Sequence, residues 1–152
     1  MNKITPFLWF DTQAEEAMNF YTSIFKNSRV LSVQRAGPDG PVMSVNFELE
    51  GQEFLGLNAG PQFKFNEAVS FYVNCETQQE VDELWAKLLA GGGEGRCGWI
   101  QDKFGLWWQI IPTLLGKLMG DPDPAKAQRV VQAMLKMNKI ESRVLQEAYD
   151  QA

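Results

Sequence analysis

The 152-residue chain contains no histidine. That absence excludes every Ser-His-Asp or Cys-His device, every histidine general base, and every zinc or iron site with an imidazole ligand. Cysteine is scarce too. Cys75 and Cys97 are the whole supply, which gives neither a disulfide framework nor a Cys-x-x-Cys pair. Both read as reduced thiols, with buried structural roles ahead of reactive ones. No apolar run approaches the ~20 residues of a membrane span. The start, MNKITPFLWF, has neither the long apolar core nor the cleavage signature of a signal peptide. Positive charge is also in deficit. Lys and Arg number 14 against 19 Asp and Glu, a formal net charge of −5, which speaks against a nucleic-acid partner. These exclusions leave a cytoplasmic protein without a membrane partner, of a length that suits one domain.

Aromatic residues are plentiful: 10 Phe, 5 Trp and 3 Tyr. Several lie in short apolar runs. Residues 4–10 (ITPFLWF) predict a strand. Thr12 and Glu15 have capping-box spacing, and Ala14, Ala17, Met18, Tyr21, Ile24 and Phe25 then fall on one helical face. Residues 29–36 predict a strand, and 37–41 (GPDGP) a turn. In 42–49, Met43, Val45, Phe47 and Leu49 alternate with Ser44, Asn46 and Glu48, the pattern of a half-buried strand. Residues 53–58 return as a strand, and 59–67 form a loop.

The second half begins in the same way. Residues 68–74 predict a strand, and Thr77 with Glu80 a second capping box. Val81, Leu84, Trp85 and Leu88 follow at helical spacing, closed by Gly91-Gly92-Gly93. Residues 97–101 and 106–111 flank a hairpin connection at 102–105. At an offset of 65, Thr12, Gln13, Glu15 and Phe20 correspond to Thr77, Gln78, Glu80 and Trp85. The match favours one supersecondary plan used twice, with a generic α+β domain as the alternative. After Pro112, Asp123 and Pro124 predict the capped start of a helix over about 124–137, with a last helix over about 141–150.

The segments ITPFLWFDTQAEEAMNFYTSIF, SFYVNCETQQEVDELWAKL and CGWIQDKFGLWWQIIP carry a resemblance. It is to the glyoxalase/bleomycin-resistance/extradiol-dioxygenase (vicinal oxygen chelate) superfamily. More closely, the chain resembles the PhnB-like branch, often labelled 3-demethylubiquinone-9 3-methyltransferase domain, and the tail segment 121–141 looks like this branch as well. The resemblance implies an α+β fold: two βαβββ-type modules forming a curved mixed-sheet cleft, plus C-terminal helices. The expected organisation is a domain over 1–120, with modules at about 1–60 and 66–112, and a helical tail of the same domain over 121–152. In the superfamily a divalent metal sits in the cleft, and its ligand positions fall near Thr5, Gly56, Ala68 and Gln109. Thr5, Gly56 and Ala68 cannot serve as strong side-chain ligands, and one neutral amide does not hold a metal. The resemblance therefore implies the cleft, while the residues contradict the metal; no cofactor is expected.

If those positions face inward, alternation names their neighbours. They are Thr5, Phe7 and Trp9; Phe54, Gly56 and Asn58; Ala68, Ser70 and Tyr72; and Trp107, Gln109 and Ile111. Of these, Thr5, Phe7, Trp9, Asn58, Ser70, Tyr72, Trp107 and Gln109 are the expected ligand-binding set, a neutral aromatic basin suited to a flat or aromatic small molecule. Phe7 and Phe54 suit a core equally well. Acid-base chemistry would fall to Tyr72, Asp102 or Cys97, each with an ordinary structural reading. An S-adenosylmethionine site on a doubly wound sheet needs a glycine-rich strand-to-helix turn, whereas Gly91-Gly92-Gly93 follows a helix. The leading expectation is a metal-free small-molecule-binding protein, a homodimer. The alternatives are a 3-demethylubiquinone 3-methyltransferase-like or other metal-independent transferase, and a dimeric interaction module.

Overall fold

The computed structural model describes residues 2–151. Two compact units divide between Lys64 and Phe65. The first contains β1 (Phe7–Phe10), α1 (Ala14–Ile24), β2 (Ser28–Arg35), β3 (Val42–Leu49) and β4 (Gln52–Asn58). Its sheet has the order β1-β4-β3-β2, with β1 parallel to β4 and the other pairs antiparallel. The second contains β5 (Ser70–Cys75), α2 (Gln78–Leu89), β6 (Gly93–Glu94), β7 (Trp99–Gln101) and β8 (Trp107–Pro112). Its order, β5-β8-β7-β6, repeats the first, with the parallel pair again formed by the first and last strands. The fold is thus α+β with one plan used twice. The two-residue β6 completes the second module; its Gly93-Glu94 sequence carries no strand signal.

One helix covers one face of each sheet. On α1, Ala14, Ala17, Met18, Tyr21 and Ile24 are buried as their spacing predicts. They meet Leu8, Phe10, Val45, Phe47, Leu49 and Phe54, the buried side of the sheet. Phe47 and Phe54 are direct cross-strand partners and stack at 5.4 Å, with Tyr21 6.2 Å from Phe47. In the second unit, Val81, Trp85 and Leu88 of α2 are buried with Ile100, Trp108 and Ile110. A fully buried aromatic such as Phe47 contributes about 3–5 kcal/mol by this packing.

Three sequence expectations change here. The first is β4. Phe54 and Gly56 are buried on the helix side, not the open side. Gly56 pairs with Val45, and a Cβ there would come within 3.1 Å of the Val45 side chain and 3.3 Å of the Phe10 ring. A side chain here would need Val45 or Phe10 to give by a few tenths of an ångström, so glycine suits the close packing under the helix. The second is α1, whose start is not closed by Thr12: the helix has no side-chain cap from its own N-terminal segment. Instead Ala14 N–H donates to Asn58 Oδ1 at 2.9 Å, while Asn58 Nδ2 donates to the Val42 carbonyl at 3.1 Å. A long-range amide has displaced the local capping box. In α2 the expected cap does form, with Glu80 N–H donating to Thr77 Oγ1 at 3.1 Å. The third concerns strand starts. Thr5 precedes β1, and Ala68 lies in an exposed turn before β5.

The C-terminal segment belongs to the second unit. It forms α3 (Thr113–Met119), α4 (Pro124–Met134) and α5 (Ser142–Asp150). Helix α3 begins immediately after Pro112, where the sequence predicts only a stop. Asp123 caps α4 as expected, accepting from Ala125 N–H at 2.9 Å with Pro124 in the first turn. Leu115, Leu118, Val130, Met137, Ile140 and Leu145 gather around Ile111. Ile111 is therefore core beneath the tail, not a wall of an open cleft. Gln78 of α2 clasps the tail, donating to the Ile140 carbonyl at 2.9 Å and accepting from Ser142 N–H at 2.8 Å. Arg129 donates to the carbonyls of Ala148 and Tyr149, both at 2.9 Å, and so satisfies the end of α5.

The corrected cap is testable by urea unfolding. Asn58→Ala should cost about 1–2 kcal/mol, and Thr12→Ala less than about 0.5 kcal/mol. The reverse order would restore the local capping box.

Candidate functional site

A strand covered on one face by a helix leaves alternate residues on the other. In the second unit this open face carries Ser70, Tyr72 and Asn74 from β5, Trp107 and Gln109 from β8, and Trp99 and Gln101 from β7. Register brings them together: Ser70 is beside Trp107, Tyr72 beside Gln109, and Gln109 beside Trp99. Gln109 Nε2 donates to Ser70 Oγ at 3.0 Å. The Trp99 and Trp107 rings meet edge-on at 6.3 Å. Tyr72 is 54% exposed, although its strand neighbours on the other face pack toward α2. None of these strand positions is charged. Four expected site residues, Ser70, Tyr72, Trp107 and Gln109, thus share one surface. Trp99 joins them as the register partner of Gln109; a four-residue connection at 102–105 pairs it with Trp108 instead, so the sequence carries no signal for it.

The other expected residues lie in the first unit. Phe7 and Trp9 alternate with the buried Leu8 and Phe10, so they occupy the open face of that sheet with Leu55 and Leu57. Trp9 is already engaged there: its indole donates to the Gly60 carbonyl at 2.9 Å, and Phe63 packs edge-on at 4.8 Å. Thr5 lies before the strand. Asn58 is on the opposite face, and its amide is committed to Ala14 and Val42. It is a helix cap rather than a cleft residue, because β4 places its even-numbered positions toward α1.

Two side-chain polar atoms are fully buried without a partner among the described residues: Asn46 Oδ1 and Trp107 Nε1. Both belong to the open faces of their sheets. Burying a polar group without a hydrogen bond is costly, and neither atom is needed to close a turn or cap a helix.

The three residues considered for acid-base chemistry find different uses. Asp102 is 2% exposed. Its Oδ1 accepts from Phe104 N–H at 2.9 Å and Leu106 N–H at 3.0 Å, and its Oδ2 from the Trp108 indole at 2.9 Å. The carboxylate closes the hairpin and anchors Trp108 on the helix side, away from the open face. Cys97 Sγ lies 3.6 Å from the Met134 carbonyl, within the tail contacts. Tyr72 alone stands on the open face. Cys75 is fully buried, and burial, aided by the nearby Glu80 carboxylate, pushes its thiol up to about 12.

A metal does not fit the donor set. Gly56 faces the helix, Thr5 and Ala68 lie outside strands, and Gln109 is tied to Ser70. Among the described residues no three His, Cys, Asp or Glu side chains come together. A shallow depression of about 600 Å³ in the first unit is lined by Asp11, Glu15, Glu16, Arg35, Met43 and Asn58. Its one cation, Arg35, is paired with Glu15 at 2.8 Å.

The model of the family described as 3-demethylubiquinone-9 3-methyltransferase matches residues 2–111. The chain belongs to that family. The Bacillus cereus PhnB protein, a candidate 3-demethylubiquinone-9 3-methyltransferase, is 38% identical, with a TM-score of 0.69 over 74% of this chain and 100% of its own. Protein PA1353 of Pseudomonas aeruginosa has 17% identity and a TM-score of 0.63 over 74% and 98% of the two chains. The fosfomycin resistance protein FosX of Listeria monocytogenes, described with Mn(II) and sulfate, has 15% identity and a TM-score of 0.52 over 70% and 88%. The last two likenesses concern the fold alone. No curated protein matches the chain significantly. The family match stops at residue 111, so α3, α4 and α5 lie beyond it.

Burial of Cys75 has a direct consequence. At pH 8 a thiol-exchange reagent should leave Cys75 unmodified in the folded protein and label it once urea unfolds the chain. Rapid labelling of Cys75 in the native state would contradict its depth.

Proposed function

We propose that this family member binds a small aromatic molecule without a metal, on the open face formed by Ser70, Tyr72, Trp99, Trp107 and Gln109. One observation carries the reading. The face is aromatic and uncharged, and its central polar side chain, Gln109, is held in place by Ser70. Ligand sites combine apolar walls with a few oriented polar groups in this way. Of the other expected ligand-binding residues, Phe7 and Trp9 lie on the first unit's own open face, and the proposed face of the second unit is built without them or Thr5 and Asn58.

Methyl transfer, the activity in the family's name, would require an S-adenosylmethionine site. Each sheet here has four mixed strands, and neither strand-to-helix turn is glycine-rich. Function in any case belongs to the site rather than the fold. We also read the protein as a cytoplasmic homodimer. The exposed apolar side chains Ile4, Phe7, Phe63 and Val69 support a second copy, and the two unpaired cysteines suit a reducing compartment. No helix among the described residues is long and apolar enough to cross a membrane.

Saturation-transfer NMR with a panel of neutral bicyclic aromatics tests the binding reading. The native protein should show hits, and Tyr72→Glu should lose them while its melting temperature stays close to native. Hits that survive Tyr72→Glu unchanged would refute the face. Stoichiometric zinc, iron or manganese in the purified protein would refute the metal-free claim.

A further inference from the structure

The open face of the second unit carries a hydrogen-bond donor with nowhere to donate. The indoles of Trp9, Trp85 and Trp108 each reach an acceptor: the Gly60 carbonyl at 2.9 Å, Glu94 at 3.3 Å and Asp102 at 2.9 Å. Trp107 Nε1 is buried and has none among the described residues. Leaving a buried donor unpaired costs on the order of 1–3 kcal/mol. No fold requirement explains it, since Trp107 closes no turn and caps no helix. Its neighbours do not supply the acceptor. Gln109 is engaged with Ser70 at 3.0 Å, and Trp99 offers a ring edge at 6.3 Å.

An indole N–H only donates, so its missing partner is an acceptor. The charge of that partner follows from the surroundings. Ser70, Tyr72, Asn74, Trp99, Gln101 and Gln109 are all uncharged. None of these strand positions supplies a cation to offset the desolvation of an anion, which a carboxylate or phosphate would need. The shape follows from the rings of Tyr72, Trp99 and Trp107, which favour offset or edge-on contact with another ring.

We infer that this face takes an uncharged planar ring molecule whose carbonyl or ring-nitrogen acceptor accepts the Trp107 indole proton. The inference rests on the ligand-binding reading above and adds the polarity, charge and anchoring atom of the ligand. Trp107 Nε1 has no exposed surface, so the side chains over it give way slightly as the ring enters.

Three bicyclic probes of similar size separate the possibilities: quinoline, with a ring-nitrogen acceptor; naphthalene, with none; and 2-naphthoate, an anion. Each is titrated at pH 8 into 15N-labelled full-length protein, with the Trp107 indole resonance assigned by its loss in Trp107→Phe. Quinoline should move that proton downfield and bind about tenfold more tightly than naphthalene, the worth of one hydrogen bond. It should also bind more tightly than 2-naphthoate. Equal affinity for naphthalene, tighter binding of 2-naphthoate, or quinoline binding without movement of the Trp107 proton would each overturn the inference. If the Trp107 proton already moves on dilution without any probe, a second copy covers the face and the inference fails. If no probe perturbs Trp99, Trp107 or Gln109, the ligand-binding reading itself falls.

Discussion

Each four-stranded sheet has a single helix, and that helix can bury only one of its faces. The rest of the molecule follows from this constraint. Alternation sends Val45, Phe47 and Leu49, or Trp108 and Ile110, beneath the helix, and commits their strand neighbours to the other side. The two sides then differ in kind. The covered side is aliphatic and aromatic, with its one buried carboxylate, Asp102, fully occupied. The open side of the second sheet carries rings and neutral polar groups, that of the first also Glu48 and Glu53, and each holds one buried orphan atom. A face that merely filled space would have no reason to hold Gln109 and Trp107 side by side.

The two units spend the same plan differently. In the first, the open face at Trp9 is occupied by the chain's own loop through Gly60 and Phe63. In the second, the end of the open face near Ile111 is covered by the helical tail, while Tyr72, Trp107 and Gln109 lie beyond that cover. The tail is additional to the family domain, which stops at residue 111. It is fastened to α2 through Gln78, while Arg129 ties α4 to the end of α5 within it, and its apolar residues pack around Ile111 of β8.

Much of this was legible in the sequence, and the failures have specific causes. The α1 and β3 patterns are unambiguous because only one of their sides is apolar. In 53–58, Phe54, Leu55 and Leu57 put apolar residues on both sides, so alternation alone does not say which faces the helix. The Phe47–Phe54 stack decides it, and that pairing is a long-range fact. The same ambiguity leaves the side of Asn58 undecided in the sequence. Thr12 failed as a cap because Asn58, 44 residues away, reaches the helix start, whereas Thr77 met no such competitor. The open face of the second unit is legible because the resemblance turns Gln109, the one polar residue of 107–111, inward, and alternation then adds Trp107 and Ile111. What could not be read was that Ile111 lies under the tail, since its covering residues come from three later helices.

The missing histidine acquires its place from the same geometry. The positions that the superfamily resemblance assigns to metal ligands hold a closely packed glycine, two residues outside strands, and a glutamine tied to a serine. The proposed role of the second unit's open face is to bind a small molecule without a metal. Crystals soaked with quinoline test it most directly. The account predicts difference density over Tyr72, Trp107 and Gln109, with an acceptor atom within hydrogen-bond distance of Trp107 Nε1. Density confined to the acidic depression beside Glu15 and Arg35, with the Trp107 face bare, would contradict it.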